Sequence, residues 1–186
     1  MTEREDKKSR SLEQYGILYL SGDIDAAKSE TVCTKIIELN LRPLDCIQLV
    51  LNSPGGSVTD GFAIIDVMEW SRLPVRTTGL GMLASMALLI FMAGAKGHRV
   101  LTPRVSILSH RFAWWSFGKH SELLARRKEE DLTHARILDH YRRYTGIGSD
   151  EDLQKTLLGD TDTWLSADEA VAYGIADAIE NRPPAR

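Results

Sequence analysis

Ser85 stands in Gly81-Met82-Leu83-Ala84-Ser85-Met86-Ala87-Leu88-Leu89, a lone hydroxyl where a glycine-containing turn gives way to an apolar helix. A serine there loses packing and gains little unless its oxygen and the free amides of the helix start have chemical work to do. A second unusual turn, Asn52-Ser53-Pro54-Gly55-Gly56, lies upstream, and His110 ends the β-like run Val105-Ser106-Ile107-Leu108-Ser109 downstream. A hydroxyl, an imidazole and two sources of unpaired amides are the parts of a serine hydrolase.

A serine needs a base to take its proton as it attacks. Of the 5 histidines, His120, His134 and His140 fall in or beside a highly charged helical segment and read as solvated surface residues. His98 follows Lys96-Gly97 in a basic turn and reads as exposed, so His110 is the candidate base. A third group must orient the imidazole through its other nitrogen. Asp162, just before the anchor Thr163-Trp164-Leu165, is one candidate and Asp160 another, and spacing does not separate them. For an oxyanion hole, Met86 N–H lies in the first turn after Ser85, and Gly55-Gly56 can turn amides inward with no side chain in the way. Taken singly, such a histidine, loop aspartate or Pro-Gly-Gly turn is more often structural. Their combination with the element order below is what raises the chemical reading. A serine–lysine peptidase using Lys96 or Lys119 as base is a further arrangement these residues permit.

The elements that must position these groups follow from periodicity. Ile17 to Leu20 reads as a buried strand ended by Ser21-Gly22, and Ala26 to Leu39 as a helix with Val32, Ile36 and Leu39 at helical spacing. Cys46 to Leu51 reads as a second strand running into the Pro-Gly-Gly turn, and Thr59 to Ser71 as a helix carrying Phe62, Ile65 and Met68 on one side. Val75 to Thr78 is predicted as a third short strand, followed by a Gly79–Gly81 turn and a buried core helix between Met82 and Ala95. Two short strands are expected around 99–101 and 105–108. Alternating strands and helices predict right-handed parallel βαβ units, with ligands gathered at the carboxyl ends of the strands, where both glycine turns are placed. Lys119 to Tyr144 reads as a long charged helix, Ser149 to Leu157 as a short one, and Ser166-Ala167-Asp168-Glu169 as a capping box opening a helix that ends at Gly174. The polar opening 1–14 is expected to be flexible, ahead of one domain over 15–186.

Bulk properties bound the function. A chain of 186 residues with 43% hydrophobic and 26% charged residues suits one globular domain, and its net charge of -3 argues against nucleic-acid binding. Cys33 and Cys46 are too few for a disulfide framework or a zinc site, read as two buried thiols, and point to a reducing cytoplasm. The charged opening is no secretory signal, and the apolar stretch 82–95 is shorter than the roughly 20 residues a membrane span needs.

Four stretches in order resemble the proteolytic subunit of the Clp protease: Leu51-Asn52-Ser53-Pro54-Gly55-Gly56-Ser57-Val58, Ala84-Ser85-Met86-Ala87, Ala93-Gly94-Ala95-Lys96-Gly97 and the run from Leu165 to Gly174. The similarity runs from about Ile17 to Ile179. The resemblance implies an α/β fold, a crotonase-like, ClpP-like spiral of βαβ units with a protruding strand-helix handle at about 113–145. It implies Ser85 as nucleophile, His110 as base, Asp162 as orienting carboxylate, and Gly56 and Met86 as oxyanion amides. No metal or other cofactor is implied. It further implies a cytoplasmic homo-oligomer of two stacked heptameric rings, a tetradecamer, degrading polypeptides fed by an ATP-driven AAA+ unfoldase. The chain departs from the pattern at His110-Arg111-Phe112-Ala113-Trp114-Trp115-Ser116-Phe117, where the family usually has Gln-Pro and a glycine-rich substrate-pairing strand. Those aromatics are expected either in the substrate groove or between subunits. Only 1–14 precedes the first strand, less than the axial loop and helix the family uses for unfoldase docking. The alternative is a crotonase-fold binding or scaffold protein with an idle triad.

Overall fold

The computed structural model describes residues 11–111 and 119–182. The polar opening 1–10, the aromatic stretch 112–118 and Pro183-Pro184 lie outside the described residues. A 3-10 turn, Leu12–Tyr15, closes on Gly16 and feeds β1 (Ile17–Ser21). Helix α1 (Ala26–Leu39) starts where the Asp25 carboxylate accepts the Lys28 N–H, and it buries Val32, Ile36 and Leu39. Strand β2 (Ile47–Ser53) alternates fully and partly buried residues, and Ser57 caps α2 (Val58–Trp70). Next come β3 (Val75–Ala84), α3 (Met86–Met92), β4 (Arg99–Leu101) and β5 (Ser106–Ser109). Helix α4 (His120–Tyr144), α5 (Asp150–Thr156), β6 (Thr163–Leu165), α6 (Ala167–Ala172) and β7 (Ala178–Ile179) complete the order. At α6 the capping box is made as expected, with Ser166 and Glu169 satisfying each other's amides and Gly174 in the left-handed region at φ 74°.

The sheet runs β1-β2-β3-β4-β7 with each adjacent pair parallel, and β5 branches from β3 to pair antiparallel with β6. All seven residues of α3 are buried, which makes it the central helix of the core. Each large side chain so buried contributes ~1.5–3 kcal/mol relative to exposure, so the turn that precedes α3 is anchored firmly.

Three expectations are corrected. The third strand does not stop before a Gly79–Gly81 turn; β3 is a 10-residue strand that passes through it. The reason is a bulge: Leu51 faces Gly79 and Ser53 faces Leu83, so two steps along β2 match four along β3. The Asn52 side chain fills the bulge by accepting the Met82 N–H at 3.1 Å, beside Gly81 at φ 63°. Below the bulge β3 pairs β4, and above it β3 pairs β5. The core helix is correspondingly shorter than the apolar stretch, since Met82 to Ala84 belong to the strand. Finally, Cys33 and Cys46 are half-buried rather than buried.

Candidate active site

Ser85 sits between the end of β3 and the first residue of α3 with φ 55° and ψ -125°, the one non-glycine residue with positive φ among those described. Such a backbone costs about 1–3 kcal/mol and persists only where its surroundings hold it. Here the Ser85 N–H donates to Leu108 O at 3.0 Å, and Ser85 O accepts from the Leu88 and Leu89 N–H groups. The turn lifts the hydroxyl out of the buried helix to a half-exposed position at the carboxyl end of β3.

The Pro-Gly-Gly turn abuts this point. A methyl placed on Gly55, at φ 96°, would stand 2.8 Å from Ser85 Cβ and 3.1 Å from Met86 N. The Gly55 N–H is taken by the buried Ser53 Oγ at 3.1 Å. Gly56 bridges Ile24 as in a parallel ladder: Ile24 N–H donates to Gly55 O and Ser57 N–H donates to Ile24 O, both at 2.8 Å. In that pattern the Gly56 N–H points away from Ile24. Neither it nor the Met86 N–H at the start of α3 has an acceptor among the described residues.

Strand pairing, rather than proximity in sequence, sets His110 and Asp162 at adjoining strand ends. In β3–β5, Ala84 faces Leu108, so the residue after Ala84 lies beside the end of β5. In β5–β6, Ser109 faces Thr163, so His110 and Asp162 are the next residues along the two strands. His110 is half-buried and Asp162 exposed. The His110 Nδ1 lies 2.5 Å from Arg111 O, and among the described residues no hydrogen bond joins it to Asp162 or Ser85 Oγ to the ring. Asp160 is engaged elsewhere, pairing with the Arg111 guanidinium at 2.9 Å, while Arg111 Nε–H donates to Leu158 O at 2.7 Å. Lys96 and Lys119 are exposed.

Sequence reasoning misplaced one histidine and missed a buried polar joint. His140 is not a surface residue: it is 5% exposed, and its Nε2 lies 2.8 Å from Leu89 O on α3. Burial pushes its pKa down to about 4, so the ring is neutral and donates to that carbonyl. Next to it Tyr141, 1% exposed, meets Ser109 Oγ at 2.7 Å, and burial raises its phenol to about 12. The available signal was the spacing Thr133, Ile137, Tyr141, a stripe of buried residues at i, i+4 in the second half of α4. Among the described residues no group of three or more His, Cys, Asp or Glu side chains is placed to hold a metal ion. No described helix is long and apolar enough to cross a membrane.

Comparison with known proteins identifies the family. The family model for Clp protease matches residues 1–183. The chain belongs to the Clp protease family. It is 34% identical over 166 residues, 88% of this chain and 82% of its relative, to the ATP-dependent Clp protease proteolytic subunit of Leuconostoc citreum (strain KM20). Membership in the Clp protease family makes the chain a serine peptidase with the α/β fold described above. Clp proteases in general are oligomeric and work with an ATPase partner.

Proposed function

We propose that the chain is a self-compartmentalising serine endopeptidase in which Ser85 attacks the scissile carbonyl of a polypeptide. His110 takes the hydroxyl proton through Nε2 and passes it to the leaving amine as the tetrahedral adduct collapses to an acyl-enzyme. A water, deprotonated by the same imidazole, then releases the acid product and restores Ser85. Gly56 N–H and Met86 N–H hold the oxyanion, and one such donor is worth about 3 kcal/mol of transition-state stabilisation. Asp162 orients the imidazole once the ring turns from Arg111 O to the carboxylate just before β6.

The observation that carries this reading is the positive φ at Ser85, wedged against the Gly55-Gly56 turn. A binding or scaffold protein with an idle site has no use for a turn that costs stability and exposes a hydroxyl beside two amides that have no acceptor among the described residues. The assembly we infer is two stacked heptameric rings in the cytoplasm, with an AAA+ unfoldase supplying unfolded chains. Leu123, Leu124 and Leu132 are exposed among the charges of α4 and suit a ring-to-ring contact, and the relative's ATP dependence supports the unfoldase. Ser85→Ala should abolish peptide hydrolysis and fluorophosphonate labelling while native mass spectrometry shows an unchanged assembly. Full labelling of that variant would remove Ser85 from the mechanism.

A further inference from the structure

The second half of α4 touches two elements of the proposed site through consecutive residues. His140 donates to Leu89 O on α3, the helix that begins right after Ser85. Tyr141 meets Ser109 Oγ at 2.7 Å, and Ser109 immediately precedes His110. Ser109 Oγ also donates to Leu157 O at 2.6 Å, at the head of the segment that runs to Asp162. A serine hydroxyl has one proton, so with that proton on Leu157 O the Tyr141 O–H is the donor to Ser109. Ser109 is 0% and Tyr141 1% exposed, so neither hydroxyl has water as an alternative.

We propose that Tyr141 and Ser109 are positioning residues that lock the end of β5, and with it His110, between α4 and the segment leading to Asp162. An apolar pair at these positions would fill the same space, but dispersion contacts tolerate sliding. Two directional hydrogen bonds in a dry site do not, because losing either leaves a buried polar group unsatisfied. A slip of one residue along β5 moves a side chain by ~3.3 Å and to the opposite face of the sheet. The hydroxyl joint opposes even a fraction of that slip at the residue before the base. His140 gives the same helix a hold on the nucleophile's helix, so α4 sets the separation of Ser85 from His110 from one rigid body.

This inference rests on Ser85 and His110 acting as proposed above, and the test separates the two. Tyr141→Phe, Ser109→Ala, the double variant and Ser109→Thr are compared in the assembled protein for the fluorophosphonate labelling rate at Ser85. The kcat and KM for a fluorogenic peptide amide and the melting temperature are measured alongside. Tyr141→Phe and Ser109→Ala should each slow labelling and kcat by roughly tenfold with KM within about twofold, since small misplacements of a catalytic group act on the transition state. The double variant should be no slower than the slower single, because both remove one joint, and Ser109→Thr, which keeps a hydroxyl, should recover most of the rate. Tyr144→Phe removes a hydroxyl that bonds Glu69 on α2 from the same helix, and should label at the wild-type rate. Wild-type labelling and kcat in both Tyr141→Phe and Ser109→Ala, with or without a lowered melting temperature, would overturn the inference. Equal slowing by Tyr144→Phe would overturn it too. Ser85→Ala that still labels would instead bring down the site reading, and this inference with it.

Discussion

Gly55→Ala probes the contact on which the proposed oxyanion hole depends. At φ 96°, the added methyl would stand 2.6 Å from Ala84 O, 2.8 Å from Ser85 Cβ and 3.1 Å from Met86 N. The first two distances are too short for a methyl carbon, and both neighbours belong to the backbone turn or its first side-chain atom, so neither can swing aside. A residue with a Cβ in left-handed backbone costs about 1–2 kcal/mol, and overpacking a tight site adds about 1–3 kcal/mol. Together these amount to roughly 2–5 kcal/mol. At about 2–4 °C per kcal/mol for a chain of this size, the melting temperature should fall by about 10 °C. The clash can be relieved only by parting the glycine turn from the Ser85 turn, which separates the Gly56 and Met86 amides. Loss of one such donor lowers kcat ~10²–10³-fold. Gly22→Ala is the control, because its φ is also positive, at 73°, yet nothing lies within 4 Å of the added methyl. It should cost ~1–2 kcal/mol and leave kcat unchanged. Calorimetry and fluorophosphonate labelling of both variants decide the matter. A Gly55→Ala protein that labels within about threefold of wild type and melts within about 2 °C of it would refute the packing argument.

Four further outcomes follow from the structure. Asp162→Asn should lower kcat by ~10²–10⁴-fold through loss of imidazole orientation. Asp160→Asn, which only weakens an exposed pair with Arg111, should stay within about threefold in the same peptide assay. His140 is neutral when folded down to about pH 4 but titrates near 6.5 when unfolded, with Glu69, Asp139, Arg143 and Tyr144 around it. Between those values the unfolded chain binds more protons, so stability falls as pH drops through that window, by on the order of 3 kcal/mol. Urea unfolding from pH 7 to 4.5 should show that slope, and His140→Gln should flatten it. Burial disfavours the Asp177 carboxylate, but hydrogen bonds from Arg99 outweigh this and hold its pKa below the usual value. That stability is present above the unfolded value near 4 and is lost as pH falls through the lower folded value. Asp177→Asn leaves the 5% exposed Arg99 without its counter-charge and should cost ~3–5 kcal/mol in urea unfolding.

Much of the molecule is legible in its sequence, and the reason lies in range. Helix α1 was bounded by its apolar spacing, α6 by the Ser166–Glu169 box and Gly174, because these signals act within one or two turns of chain. The Asn52-to-Gly56 turn and Ser85 announced themselves because glycine and a lone hydroxyl are costly in an apolar setting without a use. What sequence left open depends on contacts between residues far apart in the chain. Asn52, 30 positions from Met82, turns an apparent Gly79–Gly81 turn into a bulge that carries β3 from β4 to β5. The β5–β6 pairing puts Asp162 next to His110 and the Arg111 ion pair occupies Asp160, a difference no spacing encodes. His140 has the neighbours of a solvated helix face in sequence, and only the docking of α4 on α3 makes it a buried donor. Local propensity and capping thus determined which elements form and which residues are candidates for chemistry. Strand register and helix docking, sums of many weak long-range contacts, decided which of those residues meet.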